Sequence, residues 1–127
     1  MYLALKHAHV LTALLSVLMT AVWALMAWKT GAAGAALPGR AKAAYIVHRA
    51  VAGLAALTGL AITFIGPWRT MVFPYLGLAA FLVHGLAASA SRRSFGNMHE
   101  TAKRRLALVA QLMVVLAATY LMRAKPF

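Results

Sequence analysis

The stretch LALKHAHVLTALLSVLMTAVWALMAW, residues 3–28, decides how the chain must be read. Its titratable side chains, Lys6, His7 and His9, all lie in the first third, and nothing ionisable follows until Lys29. About 20 apolar residues in a helix, rising about 1.5 Å each, cross the hydrocarbon of a bilayer. In hydrocarbon the backbone must satisfy its own hydrogen bonds, and a single apolar segment does so only as a helix. The run is too long for the apolar region of a cleavable signal, so a retained first helix over residues 2–28 is expected, despite the small residues 31–36 that follow.

Working outward, three further apolar runs share this character. The second starts near Ala41 and stops at Gly66-Pro67, where glycine frees φ and proline removes an N–H donor. The third runs from about Val72 to Ala90, with Pro74 in its first turn, where proline is tolerated. The fourth runs from about Leu106 to Met122. Between the third and fourth lies the most polar stretch, residues 91–105, in which a short interfacial helix is expected. Residues 30–39 read as a connector and not as a domain boundary. The fold class expected is an all-α integral membrane protein, a four-transmembrane-helix bundle forming one domain over residues 1–127.

Composition agrees. The chain is 64% hydrophobic, has Glu100 as its one acidic side chain, and carries a formal charge of +12. The cations gather at the ends of the apolar runs, where lipid headgroups lie, and not on an exposed folded face, so nucleic acid is excluded as a partner. Membrane lipids, other membrane subunits or further copies of the chain are the partners expected. Lys29, Arg40, Lys42, Arg49, Arg92, Arg93, Lys103, Arg104 and Arg105 fall on the side of the two long loops. Only Lys6, Arg69, Arg123 and Lys125 fall on the side of the termini. The positive-inside rule then puts the loops in the cytoplasm and both termini outside, as in a bacterial inner membrane. Without cysteine there is no disulfide, thiolate site or nucleophilic thiol. With one acid, carboxylate catalysis is nearly excluded.

Polar groups are costly inside a bilayer, so those within the spans are the candidates for function. His48 and His84 come to a similar depth, about 9–12 Å from the loop-side boundary at helical rise. Each lies on a stripe of small residues: His48, Ala52, Ala55, Gly59 and Gly66 in the second helix; Gly77, Ala80, His84, Ala88 and Ser91 in the third. Such stripes permit close helix approach. They also leave room for a flat macrocycle between two imidazoles, so haem b with His48 and His84 as its metal ligands is one reading, Arg49, Arg92 and Arg93 being placed to pair with propionates. Hydrogen bonding between helices is the other. A protein-only zinc or copper site would need more donors, which His99 and Glu100 can supply only from the loop.

In the first helix Lys6, His9, Ala13, Ser16 and Thr20 fall within about 80° of one another, while His7 points away. This stripe suits an anionic group, a quinone or a proton relay, or simply interhelical hydrogen bonds. Gln111, with Ala107, Val115 and Ala118 on its face, is expected to join helices. Tyr45, Tyr75 and the three tryptophans are expected as interface anchors.

The opening Tyr2-Leu3-Ala4-Leu5-Lys6-His7-Ala8-His9, then Leu11-Thr12-Ala13-Leu14-Leu15-Ser16, resembles the start of the SirB family of small membrane proteins. Thr58-Gly59 and Pro67-Trp68 look like that family too. The resemblance implies four helices and a role for Lys6 and His9. Members often carry an aspartate in the second helix and a lysine in the third; this chain has neither. More distantly the layout is similar to the CopD domain and to HemJ-type protoporphyrinogen oxidases, which implies haem or porphyrin chemistry. The expected function is a haem-binding protein of electron transfer or a redox-complex subunit. The alternatives are a haem-free accessory protein and a porphyrin-oxidising enzyme.

Overall fold

A computed structural model describes residues 1–28 and 37–124. The chain is an all-α membrane bundle: α1 (Tyr2–Trp28), α2 (Gly39–Ile65), α3 (Phe73–Arg93), a 3-10 turn at Met98–Glu100, and α4 (Thr101–Ala124). All four helices are long and apolar enough to cross a bilayer. Lys29, the connector residues up to Ala36, and Lys125 lie outside the described residues.

Local chemistry sets the helix ends. α2 stops at Gly66, whose N–H still bonds Ile62 O at 2.8 Å. A Cβ there would stand 2.9 Å from Ile62 O, Trp68 and Tyr2 alike. Trp68 Nε1 donates to Tyr2 Oη at 2.8 Å, tying the α2–α3 link to the first turn of α1. After α3 the chain turns through Gly96 at φ 75, a conformation glycine adopts without a Cβ clash. The Asn97 side chain then accepts from the His99 backbone N–H.

α1 packs along α2, α3 along α4, and α1 against α4; α2 and α3 form the loosest seam of the ring. Large apolar side chains such as Leu11, Leu18, Leu57, Leu86 and Leu106 face outward on every helix. In water such a surface would aggregate; in lipid it is the solvated face.

Two expectations are corrected. α4 begins at Thr101 and not near Leu106, so Lys103, Arg104 and Arg105 are helical and not loop residues. Arg104 is 1% exposed. Its Nε donates to Ala27 O at 3.1 Å and its Nη1 to Ser94 O at 2.7 Å and Asn97 O at 3.2 Å. It thus joins the end of α1 to the turn that follows α3, at helix C-termini whose dipoles also favour a cation. Trp23 and Tyr45 are the second correction. Both are buried, Trp23 completely, and their rings meet edge-on at 4.9 Å. They are core residues of the loop-side half, whereas Trp28 and Tyr75 stay on the surface.

Candidate functional site

Near the middle of the bundle, side chains from all four helices meet on the axis. Thr20 of α1 and His84 of α3 bond across one diagonal, Thr20 Oγ1 to His84 Nε2, at 3.1 Å. His48 of α2 and Gln111 of α4 bond across the other, Nε2 to Nε2, at 3.2 Å. Proton positions follow from the partners. His48 Nδ1 faces Tyr45 O at 2.9 Å, and a carbonyl only accepts. The His48 proton therefore sits on Nδ1, leaving Nε2 to accept from the Gln111 amide. Gln111 Oε1 accepts from the Ser91 hydroxyl at 3.2 Å, and Ser91 Oγ accepts from Trp23 Nε1 at 3.0 Å. His48, Gln111, Thr20, Ser91 and Trp23 are completely buried and His84 nearly so. Such groups hold their places in hydrocarbon because each is hydrogen-bonded.

The structure brings His48 and His84 together, their ring centroids 5.5 Å apart. The planes, however, are inclined at 67°, an edge-to-face contact. An imidazole ligates iron through a ring nitrogen, so both Nε2 atoms would have to point at one iron. Here both Nε2 atoms are held by protein, that of His84 by Thr20 and that of His48 by Gln111. Among the described residues no three His, Cys, Asp or Glu side chains cluster as a metal site. His99 is exposed in the turn, and Glu100 pairs there with Lys103 at 3.4 Å.

Arg49 lies beside this layer, its guanidinium against Gly85 of α3. A Cβ on Gly85 would stand 2.9 Å from Arg49 Nη1. That Nη1 is the one buried side-chain nitrogen or oxygen without a hydrogen-bond partner among the described residues.

On the terminal side of the histidine layer the helices border a half-open chamber of about 460 Å³. Its walls include the small-residue stripes, Ala52, Ala55 and Gly59 on α2 and Gly77 and Ala80 on α3, with Val115 and Ala118 on α4. His84 stands toward its deep end, and Lys6, His9 and Arg123 also line it. The volume falls in the range of about 300–1,000 Å³ usual for small-molecule sites. His9 Nδ1 lies 3.0 Å from Ala55 O and 3.1 Å from Thr58 Oγ1. By the carbonyl argument the proton is again on Nδ1, and Nε2 is left as an acceptor. The ring rests on Gly59, where a Cβ would come within 2.8 Å of its Cε1. His7, by contrast, is exposed.

The sequence stripes therefore mark interior faces: their loop-side ends are buried against other helices, while Gly59 and Gly77 of the terminal half take the His9 ring and the Met122 side chain. Arg104 and Trp23 were missed as interior residues. The signal for Arg104 was present: with Ala107, Leu108 and Gln111 it follows helical spacing on one buried face. Trp23 shares its face with Ser16 and Thr20, both buried.

No family model matches the chain, and neither the curated proteins nor the solved structures contain a significant match.

Proposed function

We propose that this protein is a small subunit of a membrane electron-transfer system, and that it binds a quinone-class molecule in the chamber between the terminal halves of its helices. The carrying observation is that an apolar chamber of about 460 Å³ is lined by both Lys6 and His9. A quinone offers carbonyls to a donor such as the Lys6 ammonium. A quinol offers hydroxyls to an acceptor such as His9 Nε2. The apolar wall takes the rest of the ring and the start of the tail. The excess of cations at the loop end supports an orientation with the termini on the periplasmic side of a bacterial inner membrane and the long loops in its cytoplasm.

The test is a titration of the detergent-purified protein with decylubiquinone, followed by tryptophan fluorescence, since Trp68 lines the chamber. Saturable quenching is expected, weakened about fivefold by Lys6→Ala or by His9→Ala, the loss of roughly one hydrogen bond each. Quenching that never saturates, or that both variants leave unchanged, would sink the reading.

Haem b on His48 and His84 is the second reading, favoured by the meeting of the two rings beside the unpartnered Arg49 Nη1. It requires Gln111 and Thr20 to release the two Nε2 atoms. An oxidised and dithionite-reduced spectrum decides it. A Soret band lost in both His48→Ala and His84→Ala would establish a bis-histidine cytochrome, and a colourless protein after haem is offered would dismiss one.

A further inference from the structure

Arg49 poses a charge problem that the chain does not solve for itself. It stands about 15 Å along α2, a helix about 40 Å long, and so only about 5 Å from its middle. His84 and Gly85 stand near the middle of α3. An arginine at such depth normally runs its side chain to the interface or meets an anion. Here the guanidinium lies against Gly85 at that same depth, and its Nη1 is shielded and unbonded. The chain has a single acidic side chain, Glu100, which sits in the loop-side turn and pairs with Lys103 at 3.4 Å.

The missing anion must come from elsewhere, and its source can be narrowed. Lipid phosphates lie outside a hydrocarbon core about 30 Å thick, roughly 10 Å too far from this guanidinium. A second copy of the chain has no acid within a span to offer. A free carboxylate would have to carry its charge into the hydrocarbon unaided, whereas a helix brings one to that depth already held. The surface beside Arg49 suits a helix. α2 and α3 meet least closely of the neighbouring pairs, the rest of Arg49 is half-buried, and Ala50 and Gly53 next to it are small, with open space beyond Gly53. Small residues let a second helix backbone approach.

We propose that the α2–α3 seam at Arg49 docks a transmembrane helix of another protein, one that carries an aspartate or glutamate near its middle. The carboxylate meets the Arg49 guanidinium, and the partner backbone lies over Ala50 and Gly53. This chain is then one component of a hetero-oligomeric membrane complex, held to its partner by complementary charge at mid-bilayer. The proposal does not depend on what the chamber binds, and it is an alternative to the haem reading, which calls on the same guanidinium.

The experiment uses the full chain, fluorescently labelled, in phosphatidylcholine vesicles. The probe is a 21-residue leucine/alanine helix with one central aspartate, compared by energy transfer with the same helix carrying leucine there. The aspartate helix should associate with the wild-type chain about tenfold more tightly than the leucine helix, the scale of one interhelical polar contact in model peptides. Arg49→Leu should abolish that preference and Arg49→Lys should keep part of it. Equal binding of the two helices to the wild type, or a preference that survives Arg49→Leu, overturns the proposal. Thermal unfolding of the chain alone supplies a second check. A cation without a partner contributes nothing to the isolated bundle, so Arg49→Leu should unfold at or above the wild-type temperature. A marked fall would assign the guanidinium to the chain's own packing and overturn the proposal as well.

Discussion

The loop-side and terminal-side halves of this bundle use the same residue types to opposite ends. Alanine lines both. On the loop side Ala24, Ala27, Ala41 and Ala88 are buried against Trp23, Tyr45 and Leu108, and the space that small residues leave is filled by aromatic rings. On the terminal side Ala52, Ala55, Ala80 and Ala118 border a chamber whose wall also carries the aromatic residues Tyr2, Trp68, Phe73, Tyr75 and Phe81. Polar groups follow the same division. Those of the loop side are bonded across the diagonals and lock the helices together. Those of the terminal side, Lys6 and His9, line the chamber. Without a hydrophobic drive between helices in lipid, packing and interhelical hydrogen bonds must hold the bundle. One half supplies most of that, which leaves the other free to be hollow.

The contrast can be broken most severely at Arg104. Replacing it by leucine removes the guanidinium's hydrogen bonds to three carbonyls of the loop-side half, those of Ala27, Ser94 and Asn97. A loss of about 3 kcal/mol or more is expected, read as a lower unfolding temperature in detergent. A change below about 1 kcal/mol would show that the dense half is not the source of stability.

A matched pair of substitutions sharpens the comparison. Ala88 is completely buried in the dense half, and Ala88→Phe should cost about 1–3 kcal/mol through overpacking. Ala118 borders the chamber, and Ala118→Phe should fit the space there with stability unchanged within about 0.5 kcal/mol. The same Ala118→Phe should abolish saturable quinone binding, since the ring fills the site. Equal destabilisation by the two would remove the distinction between the halves. The smallest effect is expected at Gly59, where a methyl group would come 2.8 Å from the His9 ring. Gly59→Ala should displace the imidazole, weakening quinone binding a fewfold while leaving the unfolding temperature almost unchanged.

The residues differ in how readily they disclosed their places. The spans could be read because a bilayer imposes one length and one composition on any helix that crosses it. The interior faces of α2 and α3 could be read from the helical spacing of small residues, and the role of Gln111 from the cost of a lone amide in lipid. Arg104 was hidden inside the basic run Lys103-Arg104-Arg105, which reads as a headgroup anchor unless its spacing to Gln111 is followed. Trp23 was hidden because tryptophan also suits a membrane interface, and only its neighbours in space decide between the two roles.

What the sequence by itself determined is the number of helices, their approximate ends and the side of each that turns inward. Those properties depend on residues near in the chain, through hydrophobic length, helical period and the glycine and proline breaks. Only the tertiary structure decided which stretches of those inward sides close and which stay apart. A small side chain allows close contact and open space equally, so the outcome rests on what the facing helix presents at that height. Opposite Ala88 stand Trp23 and its hydrogen-bonded neighbours; opposite Gly59 stands His9, and beyond its ring the chamber begins.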